Sequence, residues 1–359
     1  MRALASAFVV AGVFATFTWA VDVGAQSNAV PYKLGMFQQA DRTFVGLVLR
    51  DSLVVDLSRA GVNAPSTLKD LIARWDNGVA ARLAKLAADA SQQRPAYAVD
   101  LPQVKTLPPI PDPQTILMAA VNYQEHAVEM GAESTKAANA AAVDPKVGQG
   151  MPGMWERKPG DIRHNPYFFP KLRASIIGQG DAIVIPARRD RVDWECELAV
   201  VVGKTAKGVT ADRAKDYIFG YTMMNDVSDR GGRTDGRHGT DWLIGKSHDT
   251  FGPMGPYVVP REFVPDPQKL GIKFTLSGTV MQDSNTDRMT HNVFELLEFA
   301  SHIISLQPGD ILSSGSPAGV GTARGTPIYM KAGDTSVCTV ERIGTLTNPV
   351  QAEPARASQ

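Results

Sequence analysis

The chain lacks several features that would assign it to common classes of protein. It has two cysteines among 359 residues, too few for a disulfide framework, and one bridge between Cys196 and Cys338 stays open. Its formal net charge is zero, which predicts neither a nucleic-acid partner nor attraction to an anionic membrane surface. It has no internal repeat. The Gly-Lys-Ser at 245–247 does not complete a phosphate-binding loop, because Thr240 stands where that motif needs glycine.

The N-terminus has the composition of an export signal. Arg2 precedes an apolar stretch at 3–20, and the small residues at 23–25 are typical of a signal-peptidase site. We therefore expect a signal peptide at residues 1–25 and a periplasmic or secreted mature chain without membrane contact. An uncleaved membrane anchor is the alternative.

Composition divides the remaining chain into two predicted domains. Residues 26–106 form a small N-terminal domain, in which 44–49 and 53–57 alternate as hairpin strands. Residues 66–88 have helical periodicity, with a break expected at Asn77-Gly78. A stiff proline-rich segment opens the larger domain, predicted over 107–349, and 350–359 is predicted to be a tail.

Carboxylates in the larger domain indicate a metal site. Glu195 and Glu197 sit at the head of an apolar run that continues through 202 and is typical of a buried strand. Alternation places both carboxylates on one face and Cys196 on the other, toward the core. Asp226 ends a second apolar segment, which could bring a third carboxylate to the same point. Such a set suits Mg²⁺, Mn²⁺ or Ca²⁺; the alternative is the solvated face of an edge strand.

Five segments in a fixed order resemble the fumarylacetoacetate hydrolase superfamily. They cover roughly residues 110 to 345. The segments are 116–129 with its His-x-x-Glu pair, 193–204 with Glu-Cys-Glu, 220–228 ending in Asn-Asp-Val-Ser, 245–256 with its lysine, and 308–321 with a glycine-rich close.

The resemblance implies a mixed, β-rich α/β fold, with a β-roll catalytic domain beside a small N-terminal α/β domain, and a homodimer. It implies an enzyme that uses Mg²⁺, or Mn²⁺ or Ca²⁺, to hydrolyse a carbon-carbon bond in a short β-diketo or 2-keto acid. The implied residues are His126, Glu129 and Lys246 for catalysis; Glu195, Glu197 and Asp226 for the metal; and Arg230, Gly315 and Ser316 for the substrate. In a helical turn His126 and Glu129 are neighbours, so the carboxylate can orient the imidazole as a general base.

Other activities stay open at this stage. The same superfamily contains enol-keto isomerases, decarboxylases and hydratases, and a non-catalytic periplasmic binding protein is a further alternative. The chain departs from the family after Ser228: it lacks the expected glutamine and carries Arg230, Arg233 and Arg237 in a glycine-rich loop. These arginines favour an anionic far end of the substrate, or else form a solvated loop. Residues 131–165 are expected to be an added loop or lid, or a disordered insertion.

Overall fold

The computed structural model describes residues 29–130, 155, 160–161, 163–232 and 241–354. Three predicted features fall outside these residues: the signal peptide at 1–25, most of the 131–165 insertion, and Arg233 with Arg237. Within the described ranges no helix is both long and apolar enough to cross a membrane.

The N-terminal part of the described chain forms an antiparallel sheet of five strands, in the order β4-β3-β2-β1-β5. Its strands are β1 Lys33–Gln39, β2 Arg42–Leu49, β3 Leu53–Asp56, β4 Ala98–Asp100 and β5 Lys105–Leu107. The predicted hairpin is confirmed, since β2 and β3 pair from Gly46 with Asp56 to Leu49 with Leu53.

Two helices, α1 Leu68–Ala73 and α2 Asn77–Gln92, lie between β3 and β4. The predicted helical region is confirmed, but its break precedes Asn77 and Gly78, which instead open α2. The reason is local: the Asp76 side chain accepts a hydrogen bond of 2.7 Å from the Val79 N–H and caps the second helix.

The rest of the described chain is mostly short strands with few helices. The strands are β6 Ile116–Ala120, β7 Tyr167–Pro170, β8 Ile176–Ile177, β9 Ile183–Ile185, β10 Val192–Asp193, β11 Cys196–Val202, β12 Ile218–Asn225, β13 Ser228–Asp229, β14 Gly252–Pro253, β15 Val259–Pro260, β16 Gly271–Leu276, β17 Thr279–Asn285, β18 Ile311–Ser313, β19 Thr335–Val340 and β20 Gly344–Ala352. The α-helices are α3 Gln124–Glu129, α4 Ala211–Ala214, α5 Trp242–Lys246 and α6 Val293–Ile303. Short 3₁₀ helices span Leu101–Gln103, Arg173–Ser175, Lys215–Tyr217, Arg261–Phe263 and Thr286–Arg288.

One six-stranded sheet carries the carboxylates, in the order β15-β12-β11-β18-β6-β7. Every residue of β11 is buried, because antiparallel β12 and β18 flank it and both of its faces are covered. The expectation of a buried strand at 196–202 is therefore confirmed, and the edge-strand alternative is wrong.

A second sheet packs beneath this one, in the order β17-β16-β19-β20-β9. Cys196 on β11 forms a disulfide with Cys338 on β19, with Cα atoms 5.5 Å apart, so the cysteine faces the core as predicted. Beside it the fully buried Trp194 ring stacks on Phe274 of β16 at a centroid distance of 5.3 Å. A disulfide and a large aromatic contact thus attach the segment that holds the two glutamates to the sheet that contains β16 and β19.

The observed architecture is the mixed, β-rich α/β fold predicted from the sequence. The first sheet ends at Leu107, next to the predicted boundary at 106/107, although one hydrophobic cluster contains both Leu47 of that sheet and Val201 of β11. The boundary stays a prediction. The tail begins later than predicted, because β20 continues to Ala352 with Val350 buried and paired with Ile183.

Candidate active site

Three carboxylates converge at the end of β11 and β12. Glu195, Glu197 and Asp226 each offer an oxygen within 4.8 Å of the others, and all three side chains are buried. Strand alternation aims both glutamates to one side, and the Asp226 N–H donates to the Glu195 carbonyl at 2.8 Å, which holds the third carboxylate against them. The structure therefore brings together the three predicted metal ligands.

The charges of these carboxylates are compensated unevenly. Burial alone would raise the pKa of Glu195, but the Lys246 ammonium and the Arg230 guanidinium outweigh it and hold that pKa well below its usual range. Burial, followed by the charges of Asp226 and Glu195, raises the pKa of Glu197 well above its usual value. The negative charge of Glu195 is thus well compensated by its partners, whereas that of Glu197 is not.

The donor set fits a hard divalent cation. All its ligand atoms are carboxylate oxygens, the ligands that hard ions such as Mg²⁺ and Mn²⁺ prefer. A divalent ion would relieve the mutual repulsion of the carboxylates, which together with burial raises the pKa of Glu197.

A histidine-glutamate pair faces the carboxylates from α3. His126 and Glu129 lie one helical turn apart, with Nδ1 of the histidine 2.7 Å from Oε1 of the glutamate. The other ring nitrogen, Nε2, lies 4.0 Å from Oε1 of Glu195. Since a carboxylate at Nδ1 favours the N–H at that position, Nε2 is left as the acceptor that faces the acidic cluster.

The glycine-rich loop at 315–321 positions several of these groups through its backbone. Gly315 donates its N–H to Oε2 of Glu197 at 3.0 Å, and Gly319 donates to Oε2 of Glu129 at 2.8 Å. Both glycines have positive φ, and a Cβ at Gly319 would lie 2.1 Å from the Met281 carbonyl oxygen. Glycine is therefore required by torsion and by space.

The predicted substrate ligand Ser316 lies in the same loop and is buried. Its hydroxyl accepts from Gln282 Nε2 at 2.8 Å and donates to the Pro317 carbonyl at 3.3 Å. The hydroxyl is thus engaged within the protein, and substrate binding by Gly315 and Ser316 stays a prediction.

Lys246 and Arg230 also contact the cluster. Lys246, the last residue of α5, places Nζ 2.5 Å from both Glu195 and Asp226. Arg230 donates through Nη2 to Glu195 at 2.7 Å and through Nε to Asp193 at 2.8 Å. Nε and Nη2 of Arg230 thus each donate to a carboxylate, and its substrate role stays a prediction.

Sequence reasoning missed two buried residues that support the site. Lys171 follows β7 with a fully buried side chain, and its ammonium contacts Asp226 Oδ1 and the carbonyl oxygens of Val227, Lys246 and Phe251. Asp193 binds Arg230 and the glycine-rich loop. No motif spacing identified either residue, although a lysine directly after an apolar strand is a weak signal.

The converging side chains line a cavity of about 130 Å³. Its polar side contains the histidine, the lysine and the glutamates, and its other wall is apolar, with Phe169 stacked on Trp242 at a centroid distance of 4.3 Å. A larger cavity of about 750 Å³ lies between β1 and β15, lined by residues such as Tyr32 and Phe263, but it contains none of the predicted site residues. We therefore take the smaller cavity as the candidate active site.

Several proteins that resemble this chain are named as enzymes. The mitochondrial oxaloacetate tautomerase of Xenopus laevis is 32% identical over 328 residues, which cover 90% of this chain and 92% of the relative. Among solved structures, the 5-carboxymethyl-2-hydroxymuconate delta-isomerase of Mycobacterium smegmatis is 30% identical with a TM-score of 0.62, and covers 89% of this chain and 99% of its own. The maleylpyruvate hydrolase of Sphingobium sp. SYK-6, in complex with manganese(II) and pyruvate, is 25% identical with a TM-score of 0.66. The match covers 89% of this chain and 99% of the hydrolase.

These relatives correct the expected location. The frog protein aligns with nine-tenths of this chain and is mitochondrial, as is the similar oxaloacetate tautomerase of Rattus norvegicus. The expectation of a periplasmic or secreted protein is therefore wrong. An apolar, alanine-rich N-terminal stretch does not by itself specify export, since hydrophobic composition is shared by several kinds of targeting segment.

A family model agrees with the fold and with the site. Residues 115–351 match the model described as fumarylacetoacetate (FAA) hydrolase C-terminal, and this range contains the three carboxylates, the histidine-glutamate pair, the lysine and the glycine-rich loop. Together with the aligned relatives, this match means that the chain belongs to the fumarylacetoacetate hydrolase superfamily.

Proposed function

We propose that the chain catalyses the keto-enol tautomerisation of a short 2-oxo dicarboxylic acid of the oxaloacetate type, with a divalent cation as cofactor. The observation that carries this proposal is the orientation of His126: Nδ1 is paired with Glu129, and Nε2 points at the acidic cluster 4.0 Å from Glu195. A base held in one tautomer beside a cation site is suited to moving a proton next to a carbonyl group.

The cation would be held by Glu195, Glu197 and Asp226, and we propose Mg²⁺ or Mn²⁺. When bound, such an ion supplies Lewis-acid polarisation of the 2-oxo group, which acidifies the neighbouring carbon. A relative with Mn²⁺ and pyruvate in its crystal structure supports this assignment.

The chain's own groups then move the proton. In the keto-to-enol direction, His126 Nε2 accepts a proton from the carbon next to the 2-oxo group, the double bond shifts, and the protonated imidazole gives that proton to the carbonyl oxygen. In the reverse direction the protonated imidazole returns its proton to that carbon. Lys246 places a positive charge beside the developing negative charge, a preorganised contribution of the kind worth about 3 kcal/mol in other enzymes.

The size and walls of the cavity favour a compact substrate. At about 130 Å³, with Phe169 and Trp242 on one side, it suits a molecule of a few carbon atoms.

Hydrolysis of an acylpyruvate, the activity first expected from the sequence, is the second candidate. It is favoured by one observation, the similarity to a maleylpyruvate hydrolase that binds pyruvate and Mn²⁺. The same His126 would then activate water instead of accepting a proton from carbon.

One experiment separates the two candidates. The purified chain is mixed with the enol form of oxaloacetate, and the decay of its ultraviolet absorbance is followed with Mn²⁺, with EDTA and in a His126→Ala variant. A parallel reaction with an acylpyruvate is analysed for pyruvate and a carboxylic acid. Metal-dependent decay that is lost in the variant, without acylpyruvate cleavage, supports the tautomerase. Cleavage products support the hydrolase, and neither activity in folded, Mn²⁺-bound protein contradicts both.

A further inference from the structure

Asp193 is a fully buried carboxylate that joins two parts of the site. Its Oδ1 accepts from the Gly321 N–H at 2.7 Å and from the Trp194 N–H at 2.9 Å. Its Oδ2 accepts from Arg230 Nε at 2.8 Å and from the Thr322 N–H at 3.0 Å. Both oxygens are therefore committed to fixed donors, as a group that sets geometry requires.

One arm of this network leads to the acidic cluster. Arg230 is also buried, and its fork spans from Asp193 to Oε1 of Glu195, which it reaches through Nη2 at 2.7 Å. The guanidinium is shared between the two carboxylates. Because Asp193 takes part of that charge, Glu195 keeps capacity to bind a cation.

The other arm leads to the histidine-glutamate pair. Asp193 fixes the loop at Gly321 and Thr322, and two residues earlier Gly319 donates its N–H to Glu129 at 2.8 Å. The indole N–H of Trp194 donates to the Gly319 carbonyl oxygen at 3.2 Å and holds the same turn.

We propose that Asp193 is a positioning residue with two actions. Through Arg230 it aligns Glu195 for the cation, and through the glycine-rich loop it fixes the position of Glu129. This inference rests on the metal centre of the proposed function. Loss of the Asp193 charge leaves Arg230 to pair with Glu195 alone, where it competes with the cation. It also removes a nearby negative charge and releases the loop, so all three effects weaken metal binding.

The test uses Asp193→Asn, which keeps the size of the side chain but turns one acceptor into a donor. Asp310→Asn is a matched control: Asp310 is equally buried and accepts from the N–H groups of Thr115 at 2.8 Å and Gln307 at 2.7 Å, without an arginine bridge to the cluster. Mn²⁺ affinity is measured by calorimetry, and folding is measured by thermal unfolding.

We expect Asp193→Asn to bind Mn²⁺ about 10- to 100-fold more weakly, the usual effect of losing a partner behind a metal ligand. The turnover number of the Mn²⁺-saturated variant also falls, because the loop no longer fixes Glu129. Asp310→Asn lowers the unfolding temperature and leaves the affinity unchanged. Equal affinity in Asp193→Asn and the wild type, or an equal loss in both variants, overturns the inference.

Arg230→Lys separates geometry from charge and serves if Asp193→Asn fails to fold. Lysine keeps the charge but cannot span two carboxylates as the guanidinium fork does. We expect this variant also to bind Mn²⁺ more weakly, and Asp193→Asn to cost less affinity on top of it than in the wild type, because the arm through Arg230 is already broken. Wild-type affinity in Arg230→Lys, or full additivity, overturns the role of this arm. If the wild-type chain binds no Mn²⁺, the metal centre fails and this inference fails with it.

Discussion

Substitution of Glu129 by glutamine tests the role of the histidine-glutamate pair through the tautomer of His126. Glu129 accepts on both oxygens, from His126 Nδ1 at 2.7 Å and from the Gly319 N–H at 2.8 Å. Glutamine offers one acceptor and one donor. If its oxygen faces His126, its amide N–H group meets the N–H of Gly319, and a buried unsatisfied donor costs about 1–3 kcal/mol.

The favoured orientation of the introduced glutamine therefore presents its N–H group to Nδ1 and places the imidazole proton on Nε2. In that tautomer Nε2 can no longer accept a proton. The energy difference corresponds to about a 5- to 150-fold smaller population of the active tautomer. We therefore expect kcat/KM to fall by about 5- to 150-fold.

The assay is the pH profile of kcat/KM for the enol substrate at saturating Mn²⁺. Glu125→Gln is the matched control, because Glu125 lies in the same helix with an exposed carboxylate that contacts Arg288 at 3.3 Å. We expect the control to retain wild-type activity, and both variants to unfold at similar temperatures. Wild-type kcat/KM in Glu129→Gln would refute the reasoning about the tautomer.

Three further outcomes follow from the structure. Gly319→Ala places a Cβ against the Met281 carbonyl oxygen, so we expect a lower unfolding temperature and a loss of kcat; a normal kcat would show that the loop does not position Glu129. Burial alone would raise the pKa of Glu295, but hydrogen bonds and charge from His291 and Arg163 lower it to about 2. Because the pKa in the unfolded chain is about 4.3, the ionised Glu295 stabilises the fold fully above about pH 4.3, and this stabilisation is lost as the pH falls toward 2. Acid unfolding should therefore be less steep between about pH 4.3 and pH 2 in Glu295→Gln, and an unchanged profile contradicts this. Mn²⁺ at 100 times its dissociation constant should stabilise the wild type by about 2.7 kcal/mol, and Asp226→Asn much less at the same concentration.

The acidic cluster was predictable because it depends on local rules. The alternation of a buried strand fixes the relative directions of Glu195, Cys196 and Glu197, and the end of the next strand brings Asp226 beside them. The pair at 126 and 129 follows in the same way from the spacing of a helical turn.

The supporting residues were not predictable because their contacts join distant parts of the chain. Lys171 reaches Asp226 across 55 positions of sequence, and Asp193 reaches Gly321 across 128. Arg230 could be identified as a cation near the site, but only the fold shows that Asp193 and Glu195 share it. The homodimer remains a prediction, which sedimentation of the purified chain would test.

The location was the clearest error of sequence reasoning. A run of apolar residues with small residues after it indicates a segment that can enter an apolar environment, but it does not specify the destination. The disulfide between Cys196 and Cys338 was left open for a related reason: its cysteines come from two sheets that meet only in the folded protein.

Titration of the EDTA-treated chain with Mn²⁺ tests the central claim most directly, because the proposed chemistry depends on a cation at the acidic cluster. We expect one site for each chain in the wild type, displacement by Mg²⁺, and loss of most of the affinity in Glu197→Gln, whose fold is checked by thermal unfolding. Binding of no Mn²⁺ by the folded wild type, or unchanged binding in that variant, would contradict the account.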